Sequence, residues 1–530
     1  MHDTPVLAGA RPEAARERRS PRTNPWWTLV AVAFGLFMVG LDGSVVAIAN
    51  PYIGQDLNAS LSELQWVTNS YLLALAAALI LGGKLGDRFG RRTFFLAGLV
   101  LFTLASVAIA VVGSTAGVIA FRALQGLGGA LMMPNTLGLL RAVFPPRRFG
   151  AAVGIWAAVS SVSTAAGPIV GGLLVEHVSW ESVFLINAPI GLLGLVVGLL
   201  VLPESKDGTG HHRFDLPGVA LLALGVIAIV CPVVQSEAWG WGSPRTLGLL
   251  ALGVALLAVF VVVENRTAHP LLPMRLFRNP SLSVAAAVTA VNFFVLLGSI
   301  FFLMLYLQNV RGYGAVEAGV LTLPLSLASM VASPLGAALT DRYGPRLTLT
   351  LGMLLQAGAS FGLLGLGVDS GYATMWPCFL ALGLGVGMVM AASSEAIVGN
   401  APVRDGGVAG GLQATALQVG GALGTAVLVS VLGSRVGSVL RDSFLSAGVP
   451  AALVDGLTGA HDAVAMGVTP VLPGVGADVQ AAVHQGAARA FVSGMHTAVL
   501  VTGGLCLVGA VLSATIVRRG RNGGGVPAVH

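Results

Sequence analysis

Apolar stretches of about twenty residues recur from one end of the chain to the other, each long enough to cross roughly 30 Å of hydrocarbon at about 1.5 Å per residue. Short polar segments part them. They predict α-helices near 26–49, 65–84, 93–113, 116–141, 150–175, 182–202, 216–235, 246–264, 282–308, 314–336, 347–367, 375–397, 408–433 and 495–517. The pattern is that of an all-α polytopic membrane protein with fourteen transmembrane helices. The first stretch is too long for the core of a signal peptide and lacks a small-residue cleavage pattern, so it reads as a helix that stays. Two segments depart from short loops. Residues 203–215, PESKDGTGHHRFD, read as a polar loop, and 434–494 as a long external loop with short helices lying over the outer mouth.

The pattern also repeats internally. GGKLGDRFGRR at 82–92 recurs as GAALTDRYGPR at 336–346, pairing Asp87 with Asp341, Arg88 with Arg342 and Gly90 with Gly344. At a common spacing further on, Gly126 and Gly128 fall on Gly383 and Gly385, Arg147 and Gly150 on Arg404 and Gly407, and Gly154 and Gly167 on Gly411 and Gly424. Helices 1 to 6 (residues 26–202) and 9 to 14 (residues 282–517) are expected as two related six-helix bundles. The segment 203–281, carrying helices 7 and 8, is inserted between them, and 1–25 and 518–530 are tails. Parallel repeats around a midplane cavity are one architecture of secondary transporters.

Composition closes off the soluble alternatives. Of 530 residues, 55% are hydrophobic and only 10% are charged, too few charges to coat a soluble particle. The net charge of +6 does not indicate a nucleic-acid partner, because the basic residues sit in small clusters between apolar segments. With both termini cytoplasmic, about 23 of the 29 basic residues lie on the cytoplasmic side and about five outside, the positive-inside pattern, and Arg122 alone falls within a helix. Cys231, Cys378 and Cys506 lie in or beside apolar stretches without metal-ligand spacing, and the adjacent pair His211 and His212 reads as solvated loop, so no metal site is expected.

The repeated loop is the first candidate for chemistry. Gly83 and Gly90 permit a tight turn, while Asp87, followed by Arg88, can accept hydrogen bonds from a helix N-terminus and pair with arginines that separate when the bundles rock. With Asp341 and Arg342 in the second copy, this reads as a cytoplasmic gate; the competing reading is that the charges only set topology. In GPIVGG, Gly167, Pro168, Gly171 and Gly172 remove side chains from helix 5 and allow close approach and a bend, although ordinary small-residue packing would look the same.

GKLGDRFGRR after helix 2, FRALQGLGG at 121–129, GPIVGG at 167–172 and LDGSVVAIANP at 41–51 together resemble, in order and position, the motifs of the fourteen-helix drug:proton antiporters of the major facilitator superfamily. The resemblance covers nearly the whole chain. It implies the major facilitator fold and proton-coupled export of small amphipathic organic compounds. In that family the helix-5 motif accompanies exporters and is poorly represented in importers, which favours efflux over uptake. Glu181 after Trp180 departs from the family, where arginine is common.

Within the helices, a few polar groups stand out because an ionised side chain in hydrocarbon is costly. Arg122 must find a partner or water, and Gln125 lies one turn away; its repeat counterpart is Phe379, so the bundle does not demand arginine there. Asp42 is the carboxylate deep in helix 1, and Met38, Val39, Val45 and Val46 offer it no partner on its own helix. Asp42 and Arg122 are therefore the candidates for proton coupling, with Glu395 as a second acidic candidate. Asn69, Gln125, Asn135, Asn292 and Gln413 are candidate cavity residues, as are Asn187, Gln308, Gln356 and Gln418, though each also reads as a bridge between helices.

The chain carries no G-x-S-x-G, H-E-x-x-H or G-x-x-x-x-G-K-[ST] sequence, so hydrolase chemistry and nucleotide-driven pumping are not expected. The expected protein is a monomeric, cofactor-free exporter in the cell membrane, using protons as coupling ion. Import or facilitated passage of a polar metabolite is the competing reading within transport, and a membrane-embedded sensor or enzyme the remoter one.

Overall fold

The computed structural model describes residues 24–205, 215–267, 270–272, 274–398, 406–472 and 474–516. The tails, His211, His212 and Arg404 lie outside these residues. Fourteen long helices are described: α1 (Pro25–Asp56), α2 (Leu61–Phe89), α3 (Arg91–Val111), α4 (Thr115–Val143), α5 (Pro146–His177), α6 (Ser182–Val201), α7 (Leu216–Val234), α8 (Pro244–Arg266), α9 (Pro280–Val310), α10 (Ala315–Tyr343), α11 (Pro345–Gly365), α12 (Tyr372–Val398), α13 (Gly406–Ser446) and α14 (Ala477–Ala514). Among the described residues, 12 helices are long and apolar enough to cross a membrane, or 13 with α2 taken as one bent span. The 32-residue α5 stands beside them. The architecture is all-helical and compatible with fourteen crossings.

Local chemistry sets the helix ends. The Ser60 side chain and the Glu63 carboxylate satisfy each other's backbone N–H groups at the start of α2, and Ser114 and Ser243 cap α4 and α8. Proline opens α1, α8, α9 and α11, where its missing N–H costs nothing. The repeated loops turn on equivalent residues: Gly90 has φ 129° and Gly344 φ 85°, a backbone region that favours glycine.

The two halves pack by the same scheme. The partners α1 with α5 and α6, α2 with α4, and α3 with α4 and α6 recur as α9 with α13 and α14, α10 with α12, and α11 with α12 and α14. Glycines allow the close approaches. A Cβ on Gly126 would strike the Tyr71 carbonyl of α2, and one on Gly383 the Leu325 carbonyl of α10. Likewise Gly128 abuts Gly98 and Gly385 abuts Gly352. Membrane helices associate through such packing because lipid supplies no hydrophobic drive between them. The inserted helices α7 and α8 pair with each other, and α7 alone of the two lies against both α2 and α13.

The 434–494 segment corrects the expectation of a long loop. α13 continues to Ser446 and α14 begins at Ala477, leaving a connection of two short helices, Ala451–Leu457 and His461–Ala465. Val436, Leu440 and Phe444 form a buried stripe at four-residue spacing that packs on α14, while Arg435, Arg441 and Asp442 face outward. The helix thus runs beyond the apolar window by which its end was judged.

Candidate functional site

Asp42 on α1 and Arg122 on α4 meet in the middle of the first half. Arg122 Nη1 donates to Asp42 Oδ2 at 2.5 Å, with both side chains withdrawn from solvent. The guanidinium also donates through Nη1 to Gln125 Oε1 (2.8 Å) and through Nε to the Val67 carbonyl (3.1 Å), and it lies 4.3 Å from the centroid of the Tyr71 ring. Asp42 Oδ1 accepts from Gln125 Nε2 at 3.1 Å and from Asn187 Nδ2 of α6 at 3.3 Å. Ser106 of α3 closes the network, accepting from Gln125 at 2.6 Å and Asn187 at 3.3 Å.

Five helices therefore hold one carboxylate–guanidinium pair away from water. The partner of Asp42 comes from α4 and not from α1. Such a pair keeps both charges tolerable only while both are present, so a change in the charge of either one is felt by the whole network. Gln125 sits at its centre. Ser106, Tyr71 and Asn187 carry no charge signal in sequence, and only Asn187 stood out there, as one intramembrane amide among many.

The other candidates are distributed. Asn69 accepts from Thr425 Oγ1 at 2.5 Å, joining α2 to α13 across the two halves. Asn135 donates to the Gly82 carbonyl at 3.1 Å and braces α4 against the end of α2. Gln356 Nε2 donates to Asn292 Oδ1 (2.8 Å) and Gln413 Nε2 to Ser394 Oγ (2.6 Å), both within the second half. Glu395 is exposed at the end of α12, with Asp341 of α10 as its charged neighbour.

At the face carrying the first turn of α1 and the last of α14, here the terminal face, Arg91 Nε and Nη2 both reach Asp87 Oδ1 at 2.7 Å. Gly83 packs on Pro134. Arg88 lies 5.0 Å from the Phe89 ring centroid, and Arg342 takes the matching place 5.3 Å from Tyr343. Glu204, just past α6, was not singled out in sequence. Its carboxylate accepts the Arg92 backbone N–H (3.3 Å) and the Thr93 hydroxyl (2.8 Å), fastening the start of α3.

The helix-5 motif works at the opposite, far face. A Cβ on Gly167 would strike Ser44, and one on Gly171 would come 2.5 Å from Val45 Cγ2, so these two residues seat α5 on α1. Gly172 turns the other way: its Cβ would fall 2.6 Å from Val316 Cα of α10, and a Cβ on Gly319 would strike the Pro168 carbonyl. One turn on, Glu176 Oε2 accepts the Val316 backbone N–H at 3.0 Å. The motif thus bridges the two halves with no side chain of its own in the way.

Comparison with known proteins agrees with this architecture. Residues 32–425 match the family described as Major Facilitator Superfamily. The chain is 46% identical over 496 residues to the tetracenomycin C resistance and export protein of Streptomyces glaucescens, covering 93% of this chain and 91% of that one. It is 38% identical to the puromycin resistance protein pur8 of Streptomyces alboniger (83% and 87% covered) and 32% identical to the multidrug efflux pump LfrA of Mycolicibacterium smegmatis (94% and 98%). Among solved structures it superposes on an inward-facing bacterial homologue of the human lysosomal transporter Spinster with a TM-score of 0.62 at 15% identity, covering 93% and 98% of the two chains. The repeated six-helix packing, the shared motifs and these likenesses lead to one conclusion: the chain is a multi-pass membrane transporter and belongs to the major facilitator superfamily.

Proposed function

We propose that this protein exports small, largely apolar organic compounds, drugs or antibiotics in type, across the cell membrane, driven by protons moving inward. Its relatives named for antibiotic resistance and export support the direction and the substrate class. The clustering of basic residues in its loops supports a cytoplasmic terminal face. The protein acts as a monomer and uses no nucleotide or other cofactor.

The observation that carries the coupling reading is the solvent-free Asp42–Arg122 pair. A proton on Asp42 cancels its charge and releases its hold on Arg122, which keeps Gln125, the Val67 carbonyl and the Tyr71 ring. That local change biases the packing of α1 against α4, and so the balance between two arrangements of the bundles. The Gly172–Val316 approach and the Glu176 bond form the outer gate, and the Asp87 loop with its second copy at Asp341 the inner one. Substrate occupies the space between the halves, where shape and apolar contact dominate recognition.

The test is accumulation of ethidium, a lipophilic cation, in an efflux-deficient cell expressing the protein. Accumulation falls with the protein present and recovers when the proton gradient is dissipated. Export that survives the uncoupler but stops on ATP depletion overturns the mechanism.

A further inference from the structure

The inserted helices carry a buried polar site of their own. Glu264, in the last turns of α8, is 2% exposed, and Asp215, capping the first turn of α7, is 6% exposed. Each carboxylate has one occupied oxygen: Glu264 Oε2 accepts the Leu272 backbone N–H at 2.8 Å, and Asp215 Oδ1 the Gly218 N–H at 2.9 Å. The remaining oxygens, Glu264 Oε1 and Asp215 Oδ2, are buried without a hydrogen-bond donor among the described residues. They converge on one spot. A Cβ built on Gly218 would strike Glu264 Oε1 and lie 2.7 Å from Asp215 Oδ2, and the two side chains are within hydrogen-bonding reach of each other.

Among the described residues one cation acts on both: Lys84, in the last turns of α2, feels the charge of the two carboxyls and donates to the Pro270 carbonyl at 3.4 Å. Arg266 in the last turn of α8, and Arg275 and Arg278 in the following turn, are exposed. Among the described residues two buried carboxylates meet a single ammonium, so both cannot stay ionised without leaving one charge uncompensated. One proton between Glu264 Oε1 and Asp215 Oδ2 satisfies both orphan oxygens and brings these three groups to neutrality.

We propose that Asp215 and Glu264 form a proton-binding pair at the terminal face, separate from Asp42, whose proton is held or released according to the position of Lys84. The ligand is the proton, held as O–H···O⁻ between the two carboxyls. Lys84 belongs to the end of α2 in the first half, while both carboxyls belong to the inserted segment. Withdrawal of Lys84 as the end of α2 moves removes the balancing charge and favours a second proton. Its approach favours release. The inserted helices thereby register the state of the gate. The site stands whether or not export is proton-driven.

Infrared spectroscopy of the full-length protein in lipid nanodiscs, without substrate, reads the site directly through the carbonyl stretch of a protonated carboxyl. The wild type shows this band at neutral pH. Glu264→Gln and Asp215→Asn, which keep the backbone hydrogen bonds, each abolish the same component, since either leaves one carboxylate matched by Lys84. Lys84→Gln preserves the band to more alkaline pH. A wild-type spectrum unchanged by Glu264→Gln overturns the proposal, as does a band lost in Glu264→Gln but intact in Asp215→Asn, which would assign the proton to Glu264 alone.

Discussion

Arg122 Nη1 and Asp42 Oδ2 stand 2.5 Å apart although 80 residues separate them in the chain, and among the described residues each is the other's only opposite charge in a network of neutral amides and hydroxyls. Removing one partner leaves a buried charge uncompensated, at a cost of about 3 kcal/mol or more. Two consequences can be separated. Asp42→Asn and Arg122→Ala each lower thermal stability in detergent, while the double variant Asp42→Asn/Arg122→Gln recovers much of it. None of the three restores pH-gradient-driven export. Recovery of transport along with stability in the double variant shows that the pair is a structural brace and not the coupling element.

Asp42→Asn mimics a permanently protonated carboxyl. It keeps ethidium binding and loses drug-induced proton release from everted vesicles. Proton movement at the wild-type level assigns the carrier elsewhere, with Glu395 next in line.

At the terminal face, Asp87→Asn removes the acceptor of both Arg91 contacts at the half-exposed end of α2. Turnover falls on the order of tenfold, and binding measured at equilibrium changes little. A large loss of affinity at normal turnover places Asp87 in the wrong role.

The outer gate gives a steric prediction. Gly172→Ala introduces a methyl group 2.6 Å from Val316 Cα, a backbone atom that cannot swing aside, so closure at the far face is impeded. A single cysteine introduced at Val316 reacts faster with a membrane-impermeant maleimide in Gly172→Ala than in the parent. Gly43→Ala on α1, where a Cβ meets nothing within 4 Å, is the matched control and leaves the rate unchanged.

How much of this the sequence discloses depends on whether the information is local. Helix number, repeat and motif positions follow from runs of apolar residues and from spacing, and Asp42 and Arg122 stand out as ions within such runs. Their pairing does not, because helical periodicity lists only neighbours on the same helix, whereas Asp42 and Arg122 sit on different helices and Ser106 and Asn187 converge from two more. For Gly172 the need for a close neighbour is legible, yet nothing local names Val316. The ends of α13 and α14 mislead for a different reason. Apolarity measures contact with lipid, while helicity continues wherever one face still finds a partner, as Val436, Leu440 and Phe444 do.

At about 1.5 Å per residue, the 41 residues of α13 and 38 of α14 extend to nearly twice the thickness of the hydrocarbon core. Beyond it they stay in register through Gly486 against Phe444 and Arg489 on the Ser446 carbonyl. The pair is a stiff mast rooted in the second bundle. Any tilt of that bundle at the midplane is carried to the tip as a larger displacement, so a probe near Asp442 watches the transport cycle from outside the membrane without touching the path of the substrate.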